Sequence, residues 1–191
     1  MNLPSTETEI DSALLKKAGE GDIRSFELLY DRISGLLFSM AYRVLNDREA
    51  AEDVLQDVFI QIWDKASSYD AVRGKPLTWA VTMTRNKAID RLRSSRRRYQ
   101  LQNELEQEAV IDLHSSGQNS PGELELSEKS MQVREAVKRI PVDQRRAIEL
   151  AFFSGMTQAE IAVELGEPLG TIKARIRRGM MRLRESLGTV I

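Results

Sequence analysis

The feature that most constrains this chain is a punctuated segment near its C-terminal end, residues 156–178, with the sequence MTQAEIAVELGEPLGTIKARIRR. Thr157 and Glu160 have the spacing of a capping box, in which each side chain accepts a hydrogen bond from the other residue's backbone amide. Gly166 is suited to end that short helix, and Pro168 prevents its simple continuation. A second helix follows the turn. The segment therefore predicts a helix-turn-helix, which indicates binding to duplex DNA.

The second helix of this motif separates an apolar stripe from a basic face. The stripe recurs at helical spacing and comprises Ile172, Ile176, Leu183 and Leu187. Small and cationic residues lie roughly opposite, at about 100° per residue, and such a face suits the major groove. The predicted contacts to duplex DNA are Thr171, Lys173, Ala174, Arg177 and Arg178. An isolated basic helix would more simply be a solvated surface, but the capped helix and the Gly-Pro turn before it favour DNA binding.

Composition excludes several kinds of site. The chain has no cysteine and a single histidine, His114, which excludes a disulfide framework, a thiolate metal site and a histidine-based metal cluster. Hydrophobic residues make up 41% of the chain, enough for a packed core. The N-terminus lacks a signal-peptide pattern, and no apolar run approaches membrane-spanning length. We therefore expect a cytoplasmic protein that uses no metal or other cofactor.

The net charge of −1 conceals strong local differences. Residues 85–98 carry a net +6 and residues 170–191 a net +5. Residues 1–66 and residues 99–130 each carry a net −6. Two compact basic patches are thus separated by an acidic spacer, while the near-neutral total weakens non-specific attraction to DNA. This pattern favours a protein that binds DNA well only in a particular context.

The periodicity of apolar residues predicts an almost entirely helical chain. The expected elements are long helices at about 23–45, 47–65 and 77–96, a turn and cap at Asn46-Asp47, a loop at 67–76, an acidic helix extension that becomes a linker over 99–126, and four shorter helices from about 127 to 187. The fold class that follows is all-α, with two small helical domains joined by a flexible acidic linker.

The helix expected at 77–96 carries a polar stripe away from its apolar face. The predicted core face comprises Leu77, Val81, Ala88, Ile89 and Leu92. The polar stripe, spaced three or four residues apart, comprises Trp79, Met83, Asn86, Asp90, Arg93 and Arg97. A flat ring, an amide and guanidinium groups on one face suit single-stranded nucleic acid. Packing of Trp79 against a neighbouring helix is an equally good interpretation of the residues alone.

The helix expected at 47–65 presents an acidic face. One side can be shared by Asp53, Gln56, Asp57 and Gln61, flanked by Phe59 and Trp63. A docking surface for a cationic protein partner and a plain solvated face fit these residues about equally well. A nuclease-type metal site fits much less well, because no further carboxylate or histidine that would complete a ligand cage is evident.

These segments together resemble a known family. The chain is similar to the extracytoplasmic-function (ECF) sigma factors, the small two-domain class of bacterial σ70-type transcription initiation factors. The matching segments are residues 42–63 for regions 2.1–2.2, 78–93 for regions 2.3–2.4, 140–150 for the start of region 4 and 160–184 for its helix-turn-helix. The implied domains are residues 1–98 as sigma region 2, 99–126 as a linker and 127–191 as sigma region 4.

The resemblance implies a role for each surface. Core RNA polymerase, through its β′ and β subunits, would bind Asp53, Gln56, Asp57 and Trp63. The polar stripe would open the −10 promoter element and hold its non-template strand through Trp79, Asn86, Asp90, Arg93 and Arg97. The loop at about 67–75 would take up a flipped base, and the basic face of the helix-turn-helix would read the −35 element. Ala174 stands where many members have serine, and Gly179-Met180 where many have Ala-Arg, so these −35 contacts are expected to differ.

The implied function is that of a non-enzymatic specificity subunit without a small-molecule substrate. Its partners would be core RNA polymerase, promoter DNA and an anti-sigma factor, which in many members is anchored in the membrane and would hold the chain at its inner face. Two other classes fit parts of the chain. One is a helix-turn-helix regulator that binds duplex DNA without polymerase, and the other is an enzyme that cleaves nucleic acid.

Overall fold

The computed structural model describes residues 7–105 and 135–188, and all regular structure within these ranges is helical. The chain divides into two compact units, Met1–Ser115 and Ser116–Ile191. The expected all-α class with two helical domains is therefore confirmed. The part of the predicted linker beyond residue 105, together with His114 and the helix start expected near 127, lies outside the described residues.

Local capping sets the boundaries between helices of the first unit. Its described elements are α1 (Glu7–Gly19), α2 (Ile23–Leu45), α3 (Arg48–Lys65), 3₁₀ turns at Ala66–Ser68 and Ala71–Arg73, and α4 (Pro76–Leu105). Asn46 ends α2 in a left-handed conformation, with φ of 51°, and its N–H donates to the Tyr42 carbonyl at 2.7 Å. Asp47 accepts from the Ala50 N–H at 3.0 Å and caps α3. The predicted turn and cap at these two residues are confirmed.

The core of the first unit forms where α2, α3 and α4 face one another. Helices α2 and α3 bury apolar residues at intervals of three or four, as their amphipathic patterns predict. The most deeply buried are Leu29, Leu37 and Ala41 on α2 and Ala51, Val54, Val58 and Ile62 on α3.

The face that α4 turns to the core differs from the predicted one. The buried positions are Pro76, Ala80, Thr84, Ala88 and Ile89, whereas Leu77, Val81 and Leu92 are only half-buried. Small side chains on the buried face allow close approach of the neighbouring helices. Burial of the Thr84 hydroxyl is compensated because it donates to the Ala80 carbonyl at 2.9 Å. The helix also continues to Leu105, so the helical extension expected from residue 99 is present as far as that residue.

The first helix, α1, was not expected from the sequence patterns. It buries Leu15 and Ala18, whose three-residue spacing is the signal that would have predicted it. Asp11 is 6% exposed, and its carboxylate accepts from Arg32 Nε at 2.8 Å. This ion pair ties α1 to the side of α2.

The second unit packs three described helices around a small core. They are α5 (Val142–Phe152), α6 (Gln158–Glu164) and α7 (Leu169–Gly188). Ala147, Ile161 and Ile172 come from the three helices, and each is 0% exposed. Gly179 on α7 faces α5 so closely that a Cβ there would lie 2.6 Å from Ile148 Cδ1. Residues 135–138, at the edge of the described range, are helical as well.

Candidate protein-docking and nucleic-acid surfaces

The solvent face of α3 carries the polar residues that were predicted to dock a protein partner. Asp53 and Gln56 are exposed, and Asp57 is half-buried. Helical spacing places Ile60 on the same face, and 61% of its surface is exposed. Two carboxylates and an amide thus precede an exposed aliphatic side chain on one face of the helix. We call Asp53, Gln56, Asp57 and Ile60 the acidic face; it can bind a cationic partner through both charge and apolar contact.

Two cations of α4 pair with this acidic face. Arg91 Nη2 lies 2.7 Å from Asp53 Oδ2, and Lys87 Nζ lies 3.1 Å from Asp57 Oδ2. The four side chains keep between 38% and 49% of their surface exposed, so both pairs remain open to solvent. Sequence reasoning missed Lys87 and Arg91. The sequence did contain a signal for these pairs. Lys87 and Arg91 are four residues apart, as are the two aspartates on the adjacent antiparallel helix.

The aromatic residues beside the acidic face are less available than predicted. Trp63 is half-buried, and its ring meets Phe26 edge-on with a centroid distance of 5.0 Å. Phe59, which was predicted to flank the face, is 4% exposed and packs against Tyr30 with centroids 4.5 Å apart. Phe59 therefore belongs to the core, and Trp63 can offer a partner only part of its indole ring.

The predicted polar stripe on α4 does face solvent. Asn86, Asp90, Arg93 and Arg97 are exposed, while Trp79 and Met83 are half-buried. Arg85 adds a further cation, with Nη1 3.5 Å from Asn86 Oδ1. Burial, and to a lesser degree repulsion by Arg93, lower the pKa of the Arg85 guanidinium. Crowded cations of this kind are stabilised when an anion such as a phosphate binds beside them.

Trp79 lies between α4 and the loop that precedes it. Its ring contacts that of Tyr69, with centroids 5.4 Å apart and planes at 48°. The Tyr69 hydroxyl donates to the Gly74 carbonyl, which closes the loop, and burial raises the pKa of that hydroxyl. Val72 at the loop tip is 93% exposed. Both interpretations of Trp79 therefore apply in part, since the indole packs on one neighbour and remains half accessible.

The helix-turn-helix has the predicted local geometry. Thr157 Oγ1 accepts from the Glu160 N–H at 3.2 Å, and the Thr157 N–H donates to Glu160 Oε2 at 2.6 Å, which confirms the capping box. Gly166 has a φ of 63° after the last turn of α6. The Glu167 N–H donates back to the Ala162 carbonyl at 2.9 Å. These bonds fix the turn that leads into α7.

One side of α7 forms an open concave surface that unites most of the predicted contacts to duplex DNA. Its lining residues are Gly170, Lys173, Ala174, Arg177, Arg178 and Met181. Lys173, Arg177 and Arg178 are exposed, whereas Ala174 and the adjacent Thr171 are half-buried. Cations there can hold phosphates, and the small side chains leave room for base edges to approach.

Arg175 belongs to the same basic run, but it bonds within the protein. Its Nε lies 3.0 Å from Asp143 Oδ2 on α5, and its Nη1 lies 2.6 Å from Glu167 Oε1 in the turn. Its side chain is 24% exposed. Sequence reasoning left this residue without a role, and its place near the Ile172 side of the helix was the signal for an internal contact.

The described part of the chain lacks both a metal-binding cluster and a membrane-spanning helix. Within it, no group of three or more His, Cys, Asp or Glu side chains could hold a metal ion. None of the described helices has the length and apolar character needed to cross a membrane.

Known proteins resemble this chain over almost its whole length. The Sigma-70 region 2 family matches residues 29–98, and the Sigma-70, region 4 family matches residues 130–183. An "ECF RNA polymerase sigma factor SigK" of Mycobacterium sp. (strain KMS) is 31% identical over 188 residues, which cover 98% of this chain and 95% of that protein. The protein of the same name from Mycobacterium tuberculosis (strain ATCC 25177 / H37Ra) is 30% identical, with 96% of each chain covered.

A solved structure is similar as well. It is that of Rhodobacter sphaeroides SigE in complex with the anti-sigma ChrR, which is 31% identical to this chain. The match covers 92% of this chain and 97% of that one, with a TM-score of 0.45.

Proposed function

The chain belongs to the extracytoplasmic-function family of bacterial RNA polymerase sigma factors, and we propose that it binds core RNA polymerase and directs the enzyme to promoters. One observation carries the proposal beyond family membership. A single compact unit presents an acidic face on α3 and an aromatic, amide and cation stripe on α4. The first suits a basic protein partner and the second suits an opened DNA strand.

The acidic face is the proposed contact to the polymerase β′ subunit. Acceptors for basic side chains come from Asp53, Gln56 and Asp57, and Ile60 supplies an apolar contact. Trp63 contributes the accessible part of its ring at the edge. Charged groups at a rim give orientation and rapid association, while an apolar contact at the centre slows dissociation.

The polar stripe on α4 is the proposed contact to the −10 element. Opening a duplex costs a few kcal/mol per unstacked base, and stacking on an aromatic ring returns roughly 1–3 kcal/mol per base. Trp79 supplies that ring, and Arg93 and Arg97 hold the phosphates. Asn86 and Asp90 offer hydrogen bonds to base edges. The loop that Tyr69 braces is the proposed acceptor of a flipped base.

The concave surface of α7 is the proposed contact to the −35 element. Lys173, Arg177 and Arg178 hold phosphates or guanine edges, and Thr171 and Ala174 lie against the groove. With a net charge of only −1 for the whole chain, this surface gains little from long-range attraction to DNA. The polymerase supplies most of the affinity, and α7 adds the choice of sequence.

The proposal also includes the domain boundaries and the control of the chain by an anti-sigma factor. We assign residues 1–98 to sigma region 2, 99–126 to a linker and 127–191 to sigma region 4, although α4 itself runs on to Leu105. The chain is a transcription regulator that performs no chemistry and acts in the cytoplasm. An anti-sigma factor that covers the acidic face would block polymerase, and a membrane-anchored one would hold the chain at the inner face of the membrane.

The test combines polymerase binding with transcription. Purified chain and core polymerase are incubated with a pool of genomic fragments, and transcript starts are mapped by sequencing. We expect starts that share upstream elements at a fixed spacing. Asp57→Arg should abolish co-purification with core polymerase and all specific starts. Glu20→Arg reverses a charge at an exposed site outside α3 and should change neither. Absence of specific starts with the unaltered chain, when a control sigma factor yields them, would refute the proposal.

A further inference from the structure

Arg175 differs from its basic neighbours in the direction it faces. At about 100° per residue it lies roughly 60° from the buried Ile172, on the core side of α7. Its side chain is 24% exposed, whereas Lys173, Arg177 and Arg178 are all exposed. A cation in the middle of the recognition helix is therefore directed into the protein rather than toward the groove.

The guanidinium of Arg175 connects α5, α6 and α7 of the second unit. Its Nε bonds Asp143 in the first turn of α5 at 3.0 Å, and its Nη1 bonds Glu167 at 2.6 Å. Glu167 in turn donates its backbone N–H to the Ala162 carbonyl of α6 at 2.9 Å. One side chain thus links α7 to α5 directly and to α6 through the turn between them.

The charge of Arg175 is already balanced where it lies. Two carboxylates share the guanidinium, and their side chains are 45% and 30% exposed. The cluster of Arg175, Asp143 and Glu167 carries a net −1 and offers no attraction to a phosphate. This cluster, which we call the Arg175 clamp, cannot act as an ordinary phosphate contact.

We infer that Arg175 is a positioning residue, which fixes the angle at which α7 enters the −35 major groove; the inference rests on the proposed function. Without the clamp, α7 retains one hydrogen bond to α5, from Arg182 Nη1 to Gln144 Oε1 at 3.2 Å near its C-terminal half. Its contacts around Ile161 and Ile172 are apolar and are not directional. Hydrogen bonds to base edges require placement within roughly 0.5 Å. A small rotation of α7 would therefore cost sequence recognition while leaving attraction to phosphates intact.

Two variants separate positioning from simple charge because they change the charge in opposite directions. Arg175→Met removes a cation, and the double change Asp143→Ala with Glu167→Ala removes two anions. If charge alone mattered, the first variant would bind all DNA more weakly and the second would bind all DNA more tightly. Positioning predicts that both lose preference for the −35 sequence.

The measurement uses the full chain bound to core polymerase. Its preferred −35 sequence is first selected from a duplex library randomised over that element. Affinities for the selected duplex and for the unselected library are then compared across a series of salt concentrations. We expect both variants to lower the ratio of the two affinities by roughly ten-fold, the scale of one lost base contact. The dependence of affinity on salt should stay that of the unaltered chain.

Further variants complete the design. Arg177→Met removes a proposed phosphate contact. It should reduce the slope of log affinity against log salt concentration by about one. Asp143→Asn with Glu167→Gln keeps two hydrogen-bond acceptors for Arg175 and should retain most of the affinity ratio. Thermal unfolding of each variant is also measured. A transition above the temperature of the binding assay shows that the variant is folded during the comparison.

The possible outcomes have distinct meanings. If the unaltered chain selects no sequence, the proposed function fails and this inference fails with it. If it selects a sequence but Arg175→Met only reduces the salt dependence, Arg175 is a phosphate contact and the inference is overturned. Tighter binding to all DNA by the double alanine variant, with its preference intact, would overturn it too.

Discussion

Asp57, on the proposed polymerase-binding face of α3, forms an ion pair with Lys87 of α4, in which Lys87 Nζ lies 3.1 Å from Asp57 Oδ2. The Arg91–Asp53 pair, at 2.7 Å, repeats the connection one turn away. The carboxylates proposed to receive basic residues of the polymerase are thus already paired with cations of α4. A polymerase cation must share or displace them, so docking on α3 is coupled to the charge available on α4.

Loss of the Lys87 cation should therefore strengthen docking. In Lys87→Met, Asp57 is left free for the polymerase, and we expect the affinity for core polymerase to rise by up to about five-fold. The limit is set by the roughly 0–1 kcal/mol that an exposed pair contributes. For the same reason, the free energy of unfolding should fall by no more than about 1 kcal/mol. Titration of labelled core polymerase without DNA measures the first quantity, and urea denaturation measures the second.

The control for this prediction is an ion pair in the other unit. Lys138→Met removes the partner of Glu135; the two groups are 2.6 Å apart, and their side chains, 67% and 57% exposed, are more open than those of Lys87 and Asp57. It should leave the affinity for core polymerase unchanged. Weaker binding by Lys87→Met would show that Lys87 contributes to the interface directly instead of competing with it.

Two glycines of the first unit should respond oppositely to alanine. A Cβ on Gly19 would lie 2.7 Å from backbone atoms of Ala66 and Ser67, which cannot move aside as a side chain could. Gly19→Ala should therefore cost roughly 1–3 kcal/mol by separating α1 from the 3₁₀ turn. Gly35, within α2, has open space around it, and Gly35→Ala should gain up to about 1 kcal/mol from helix propensity. Chemical denaturation compares the two directly; equal effects would contradict the packing argument.

The elements that the sequence predicted correctly are those fixed by local chemistry. Asn46, Asp47, Thr157 and Gly166 each act within a few residues of their own position, so their roles follow from spacing alone. Long amphipathic helices such as α2 can be predicted equally well from the sequence, because a single face carries the apolar residues. The sites that no finding tests, including every proposed contact to polymerase or promoter, remain predictions.

The features that the sequence did not reveal depend on neighbours that are distant along the chain. The buried face of α4 uses Ala80, Thr84 and Ala88 because α4 lies close to other helices, and hydrophobicity alone favoured Val81 and Leu92 instead. The internal pairing of Arg175 was not predicted, because Asp143 lies far from it in the chain. Composition cannot distinguish a solvated cation from a cation that forms an ion pair with an acidic side chain of another helix.

The capping box at the start of α6 should contribute measurably to the second unit. Thr157→Ala removes the acceptor for the Glu160 N–H and should lower the free energy of unfolding by about 1 kcal/mol. Thr157→Ser keeps a hydroxyl in the same place and should restore most of it. Thermal denaturation, monitored by far-ultraviolet circular dichroism, gives both values. An alanine variant as stable as the serine variant would show that the box does not stabilise this helix.

Replacement of Trp79 should impair promoter opening more than promoter binding. Trp79→Ala removes the ring proposed to receive an unstacked base, worth roughly 1–3 kcal/mol, so we expect a loss of about ten-fold in open-complex formation on duplex promoter DNA. A template with an unpaired −10 element should reduce the defect, because part of the unpairing cost is then absent. Trp79→Phe keeps an aromatic face beside Tyr69. Its rate of open-complex formation should lie between those of the unaltered chain and Trp79→Ala. Permanganate footprinting of unpaired thymines measures opening. An equal defect on both templates would instead assign Trp79 to packing against the Tyr69 loop.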